Sequence, residues 1–180
     1  MVEKNSVEIE RKYIIAMPDE KLLATLEGYT VSDITQIYLT ANSGTSRRVR
    51  SRRFPDRTEY TETRKRRIDA ISADEEEREI TADRFAELSR EIASGTRPIV
   101  KRRHTFLYKA QIFEIDVYPD WTRTAIMETE LTDPAARAEI PPFIEVIREV
   151  TGDFRYANAG MSRAFPEETA ICDISSRQEL

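Results

Sequence analysis

The chain's 180 residues suit one domain with a buried core, and its 33 acidic side chains nearly offset 28 basic ones, so a net charge of −5 favours neither nucleic acid nor an anionic membrane. A single cysteine, Cys172, excludes an internal disulfide, and a single histidine, His104, excludes a histidine-rich zinc site, so a bound metal would be a hard ion held by carboxylates. No apolar run approaches the ~20 residues of a membrane span and no signal-peptide pattern opens the chain, which predicts a cytoplasmic protein with no membrane partner.

The segment Glu8-Ile9-Glu10-Arg11-Lys12, followed by Tyr13-Ile14-Ile15, alternates at the period of a strand, with Glu8, Glu10 and Lys12 on one face and Ile9 on the other. Taken alone, it is a strand with one wet face over a core. Pro18-Asp19-Glu20 then opens a short helix that carries Leu22, Leu23 and Leu26 on one side and ends at Gly28. A strand at 33–40 precedes the turn Asn42-Ser43-Gly44, and a hairpin follows, 46–53 with 59–67. Arg48, Arg50 and Arg52 fall on one face of its first arm, and Thr63, Lys65 and Arg67 on one face of its second. Like charges opposed across a sheet are destabilising, so this hairpin either faces solvent or holds an anion between its arms.

Residues 74–81 read two ways: the run of acids begins a helix or loop, or it forms a strand with Glu75, Glu77 and Glu79 on one face. Thr81 is a natural N-cap for a helix at 82–93, whose Phe85, Leu88 and Ile92 form an apolar stripe with Gly95 beyond its end, and this favours the strand. The segment 99–107 sets Lys101, Arg103 and Thr105 opposite Val100, His104 and Phe106, so parity places His104 with the apolar side. Along 110–118 Glu114 and Asp116 alternate with Phe113, Ile115 and Val117, and along 124–131 Glu128 and Glu130 alternate with Met127, Thr129 and Leu131. Asp133-Pro134 and Pro141-Pro142 are expected to open two further helices, the second carrying Phe143, Ile144 and Ile147. A short helix near 159–164 completes a single domain of residues 1–165, with 166–180 as a polar tail.

The charged faces sort by sign, and the helices each carry one apolar stripe that needs an apolar partner. If the helices cover the strands' apolar faces, the charged faces look into a shared interior. This predicts an α+β fold built on a closed antiparallel β-barrel with helices packed outside. Crowded carboxylates there call for divalent cations, and oxygen-only ligands select Mg²⁺ or Mn²⁺. Crowded arginines and lysines call for an anion with several charges along its length, such as a polyphosphate. Metal, carboxylate, phosphate and Arg/Lys together form the recurring arrangement of phosphoryl transfer, and no Walker A loop is present.

These residues also match a known pattern. Glu8-x-Glu10-x-Lys12 resembles the ExExK signature of the CYTH superfamily, the triphosphate tunnel metalloenzymes. Gln36-Ile37-Tyr38-Leu39, Arg48-Val49-Arg50, the segment from Tyr60 to Lys65, Glu75-x-Glu77, Lys101-x-Arg103, Glu114-Ile115-Asp116, Glu128-Thr129-Glu130 and Arg155-Tyr156 follow in the family's order. The resemblance implies a closed eight-stranded tunnel and metal-dependent attack on a triphosphate. It implies that Glu8, Glu10, Glu128 and Glu130 hold divalent ions, with Glu75, Glu77, Glu114 and Asp116 as further or water-mediated ligands. Lys12, Arg48, Arg50, Lys65, Lys101, Arg103 and Arg155 would bind phosphates. Lys65 and Tyr38 match the lysine and tyrosine that assist attack in a short bacterial branch, which implies an alkaline optimum. The chain departs from some relatives at Ala159-Gly160, where they carry a basic residue.

The favoured activity is hydrolysis of inorganic tripolyphosphate to pyrophosphate and phosphate. Thiamine triphosphatase, nucleoside triphosphatase and class IV adenylyl cyclase are rivals within the family, and a polyphosphate- or nucleotide-binding module is the non-enzyme alternative. The small-molecule partner is a triphosphate or polyphosphate in each case, and a homodimer is compatible with the sequence.

Overall fold

Period-two alternation of charged and apolar residues produces strands almost wherever it occurs. The structure, a computed structural model, describes residues 9–42, 45–67, 73–131, 137–169 and 171. Among them one antiparallel sheet contains β1 (Ile9–Ala16), β2 (Thr30–Leu39), β3 (Thr45–Arg53), β4 (Thr58–Arg67), β5 (Ala73–Glu79), β6 (Ile99–Tyr108), β7 (Gln111–Val117), β8 (Thr124–Leu131) and β9 (Val146–Glu149). Their order in space is β5-β4-β3-β2-β6-β7-β8-β1-β9. The helices are short: α1 (Glu20–Leu23), α2 (Ala82–Leu88) and α3 (Asn158–Arg163). No helix among the described residues is long and apolar enough to cross a membrane.

The expected closed eight-stranded barrel is not formed. The sheet has nine strands and is open, with β5 and β9 at its edges. The prediction assumed that sorted charges need an enclosed interior. Instead many of them neutralise one another within the face, as Lys12 does with Glu128 and Arg103 with Asp116 across neighbouring strands, without closure. The additional strand, β9, comes from the segment expected to be a helix after Pro141-Pro142. Residues 141–145 turn without forming one, and Ile14 and Tyr13 of β1 pair instead with Arg148 and Glu149. Both edges are blunted in the usual ways, β9 by its brevity and β5 by its run of charged residues. The helix expected at Asp133-Pro134 lies largely outside the described residues, and so do Glu8 and Cys172.

The face opposite the charges is covered as the helical stripes require. Ile15, Phe106, Phe113, Ile115 and Met127 pack beneath Leu23 and Leu26, with Phe143 and Ile144 of the following loop. Under α2, Ile37, Leu39 and Val49 meet Leu88 and Phe85. Thr81 caps α2 by accepting from the Arg84 N–H at 3.2 Å, and the helix gives way to a 3₁₀ turn at Ser89–Glu91 rather than running to residue 93. His104 is fully buried on this side, with its Nδ1 3.0 Å from the Tyr29 hydroxyl, as parity required.

The charged face carries an apolar layer at one end. Ile14, Ile99, Tyr118 and Ile126 share it with the acids and bases, and Tyr156, Met161 and Ile171 cover them. Gly160 makes this cover possible, because a Cβ there would come within 1.9 Å of the Phe154 carbonyl oxygen. Beyond Phe165, where a tail is expected, Pro166, Glu168 and Ile171 are packed against the domain. The Trp121 indole donates to the Pro166 carbonyl at 3.0 Å, and the Glu168 carboxylate accepts from the N–H groups of Thr122, Arg123 and Thr124.

On the opposite face the Glu62 side chain has no exposed surface and binds Arg47 at 2.6 Å and Arg78 at 2.6 Å. Burial alone would raise its carboxyl, but the guanidinium groups of Arg78 and Arg47 outweigh it and bring it down to about 2. Its stabilising contribution is complete above the ordinary glutamate range and is lost as pH falls through about 2. Glu62→Gln is therefore expected to cost about 2 kcal/mol at pH 7. Urea denaturation at pH 7 and at progressively lower pH checks this, since the gap between variant and parent should narrow with acidification.

Candidate active site

Register fixes which side chains share a face. Glu10 lies opposite Glu130, Lys12 opposite Glu128 and Ile14 opposite Ile126. Glu114 faces Glu128, and Arg103 faces both Asp116 and Ser32. On the other wing Arg48 is opposite Tyr38 and Thr63, and Arg50 is opposite Gln36 and Thr61. Thr63 and Lys65 pair in turn with Glu77 and Glu75. The sheet curls about this face: Lys12 on β1 influences Tyr38 on β2, four strands away in sheet order, and Arg103 on β6 influences Arg50 on β3. All the predicted strand-borne residues that the structure describes therefore occupy one side of a trough.

The centre of the trough is a chain of ion pairs. Lys12 Nζ lies 2.8 Å from Glu128 and 3.0 Å from Glu10, and it donates to the Tyr156 carbonyl at 3.5 Å. Arg103 binds Glu128 at 2.8 Å, both oxygens of Asp116 at 2.7 Å, and Glu114. Lys101 also binds Asp116. Arg50 reaches Glu77 at 3.2 Å, and Glu77 accepts from the Thr63 hydroxyl at 2.8 Å.

Electrostatics divide the acids into two kinds. Burial would raise the Asp116 carboxyl, but Arg103 and Lys101 outweigh it and hold it well below the usual range. Glu128 is likewise lowered, against burial and Asp116, by Lys101, Lys12 and Arg103. Glu10 goes the other way: burial and the neighbouring Glu128 charge raise it, and Lys12 only partly offsets them. Burial would lower Lys12, but Glu128 and Glu10 keep it above the ordinary lysine range. Asp116 is thus a satisfied structural counter-ion, whereas Glu10 stands in a surplus of negative charge.

Among the described residues, no three carboxylate, imidazole or thiol groups are grouped as a metal site in their present positions. The donor chemistry nevertheless fits a hard cation, because Glu10, Glu128 and Glu130 supply only oxygen and the raised Glu10 marks the place where positive charge is short. Tyr38 is half-buried, accepts a 2.9 Å hydrogen bond from the Gln36 amide, and is raised by burial despite Arg48 and Lys12. Lys65 and Glu75 are placed only by register, opposite Ser46 and one another. Arg155 is not brought into the trough: it is 72% exposed and bound to Asp153 at 2.6 Å. Arg52 and Glu59 join the charged face, opposite each other on β3 and β4, although no family motif marks them. Period-two parity with Arg48 and Arg50 was the signal available for Arg52.

The strand-borne motifs that the structure describes follow the order of the CYTH superfamily and share one face, on an open sheet rather than the closed tunnel which that resemblance implied. No protein-family model matches the chain, and no curated protein matches it. It is similar to the crystal structure of the inorganic triphosphatase NE1496, at 28% identity and a TM-score of 0.60, over 92% of this chain and 98% of that one. A further crystal structure, of the hypothetical protein NE1496, gives 28% identity and a TM-score of 0.59 over 88% and 99% of the two chains. The PH1819 protein from Pyrococcus horikoshii OT3 shares the fold, at 23% identity and a TM-score of 0.50 over 71% and 80%. The structural neighbours bear out the resemblance carried by the motifs.

The two kinds of acid give opposite mutational outcomes. Asp116→Asn breaks a fully buried pair and is expected to destabilise the protein by about 3 kcal/mol or more. Glu10→Gln removes a repelled charge and should leave the metal-free protein at least as stable as the parent. Thermal denaturation of both variants in chelator checks the contrast.

Proposed function

We propose that this chain is a metal-dependent triphosphatase whose preferred substrate is inorganic tripolyphosphate, cleaved to pyrophosphate and phosphate. The observation that carries the reading is the set of ion pairs in which Lys12 and Arg103 are held by Glu10, Glu128, Glu114 and Asp116. A polyanion gains these cations only when something else balances the carboxylates. A divalent cation, Mg²⁺ or Mn²⁺, supplies that balance when bound and polarises the phosphoryl oxygens. Glu10, Glu128 and Glu130 are the residues that would hold it, with Glu8 beside them in sequence and Glu75, Glu77 and Glu114 as outer ligands. The similarity to the inorganic triphosphatase NE1496 supports the same reaction class.

Lys12, Arg48, Arg50 and Arg103 are assigned to the phosphates. Lys101 acts chiefly by fixing Asp116, which in turn orients Arg103. Arg155 would have to release Asp153 before reaching a ligand. In the reaction, water forms the new bond to a terminal phosphorus, the bridging P–O bond breaks, and pyrophosphate leaves. Tyr38 orients the water, and the neutral amine of Lys65 accepts its proton. Burial raises Tyr38, so any contribution from its phenolate appears only on the alkaline side of an ordinary tyrosine, and at neutral pH it acts as a hydrogen-bond donor.

Phosphate release from tripolyphosphate, ATP, thiamine triphosphate and pyrophosphate, each with Mg²⁺, Mn²⁺ or chelator, tests the proposal. Tripolyphosphate should be cleaved fastest and only with metal. Glu130→Ala should lower the rate on the order of a hundredfold or more with the melting temperature retained. Cyclic AMP formed from ATP, or tight binding with no hydrolysis of any triphosphate, would contradict it.

A further inference from the structure

Buried polar groups on the charged face mostly serve its ion pairs and cations. Thr63 donates to Glu77, and Ser32 accepts from Arg52. Gln36 is only 2% exposed and lies on the same face, yet its amide goes to a neutral partner: Nε2 donates to the Tyr38 hydroxyl oxygen at 2.9 Å. Residues two apart on a strand share a face at a spacing of about 7 Å, and a glutamine side chain is long enough to bridge that gap along β2. A buried amide without partners is costly, so both of its ends are constrained. Gln36 stands directly opposite Arg50 on β3, whose guanidinium can only donate. The amide oxygen therefore suits the β3 side, and the NH₂ group is turned toward Tyr38.

That direction matters because a phenol has one hydrogen. Arg48, opposite Tyr38 on β3, also donates to the phenolic oxygen. With donors arriving along β2 and across from β3, the oxygen is occupied as an acceptor, and its own hydrogen is left for the open side of the trough. Lys12 on β1 and Tyr118, just past β7, also act on or with Tyr38. The first is a cation and the second donates its hydroxyl to Asn158 at 3.3 Å, so neither is a carboxylate that would draw the hydrogen away. Turned round, the Gln36 amide would instead accept from Tyr38 and hold the hydrogen along β2, away from any ligand.

We infer that Gln36 is a positioning residue that fixes the Tyr38 hydroxyl with its hydrogen pointing into the trough, where it donates to the attacking water. The inference rests on the triphosphatase reading above. Gln36 does not touch the substrate and acts only through Tyr38. Without it the phenol can turn its hydrogen elsewhere, which removes an oriented donor from the transition state but leaves every phosphate-binding charge in place. The loss therefore falls on kcat rather than on KM.

A kinetic double-mutant cycle with tripolyphosphate and Mg²⁺ tests it, together with NMR of the full chain without ligand. Gln36→Met keeps length and volume but has no donor. It should lower kcat about tenfold and change KM by about twofold or less. Tyr38→Phe should lower kcat at least as much, and adding Gln36→Met to Tyr38→Phe should lower it by no more than about a further twofold. Gln36→Leu serves the same cycle should the methionine variant fold poorly. By NMR, the Gln36 side-chain amide protons are identified by their loss in Gln36→Met. One of them should be displaced downfield by its hydrogen bond, and Tyr38→Phe should return it upfield. Full additivity of the two substitutions, a loss confined to KM, or an amide proton indifferent to Tyr38→Phe would overturn the inference. Absence of phosphate release from the parent counts against the triphosphatase reading, and the amide proton then decides alone whether Gln36 sets the Tyr38 hydroxyl.

Discussion

Asp116 has no exposed surface, yet it binds Lys101 and accepts two hydrogen bonds from Arg103. That buried triad sets the arrangement of the face around it. Removing Asp116 would leave Lys101 buried without its carboxylate, so β6 and β7 are held in the register that satisfies all three. Arg103 then extends the order outward to Glu128 and Glu114, and Glu128 passes it on to Lys12 of β1. An interior of this kind contributes little net stability compared with an apolar core. The apolar contribution comes from the opposite face and from the layer of Ile14, Ile126, Tyr118 and Tyr156 at one end of the trough.

The same pairs explain how one face can be stable without a ligand and still suited to one. Lys12, Arg50 and Arg103, proposed for phosphate, are each held by a carboxylate proposed for metal, so the site carries its own counter-ions. Ligands of both signs arriving together exchange these internal pairs for external ones with little change in total charge. A polyanion alone would leave Glu10 and Glu128 uncompensated, and Glu10 is already raised by its surroundings. Cation and polyphosphate should therefore bind with positive coupling, each improving the affinity for the other.

Much of this was legible in the sequence because a strand's two faces are written at period two. Glu10 with Lys12, Arg48 with Arg50, Lys101 with Arg103, and Glu114 with Asp116 each appear on one face by parity, and the register places them together. His104 was assigned to the apolar side by the same rule. Closure of the sheet was not legible, since parity says which way a side chain points but not whether the two edge strands meet. The residues 146–149 carry no clean alternation, and their pairing with β1 depends on the partner strand rather than on propensity. Arg155 matched a motif by order, but Asp153 two residues earlier captures it locally. The anchoring of Glu168 arises from the backbone N–H groups of Thr122, Arg123 and Thr124, which no side-chain pattern announces.

The coupling between cation and polyanion is the claim on which the rest stands. It is measured most directly by titrating the protein with a non-hydrolysable imido analogue of tripolyphosphate, once with saturating Mg²⁺ and once in chelator, at matched ionic strength. The analogue should bind at least tenfold more tightly with Mg²⁺ present, and Mg²⁺ should gain affinity by the same factor when the analogue is bound. Equal affinity under the two conditions, or tighter binding in chelator, would contradict the account.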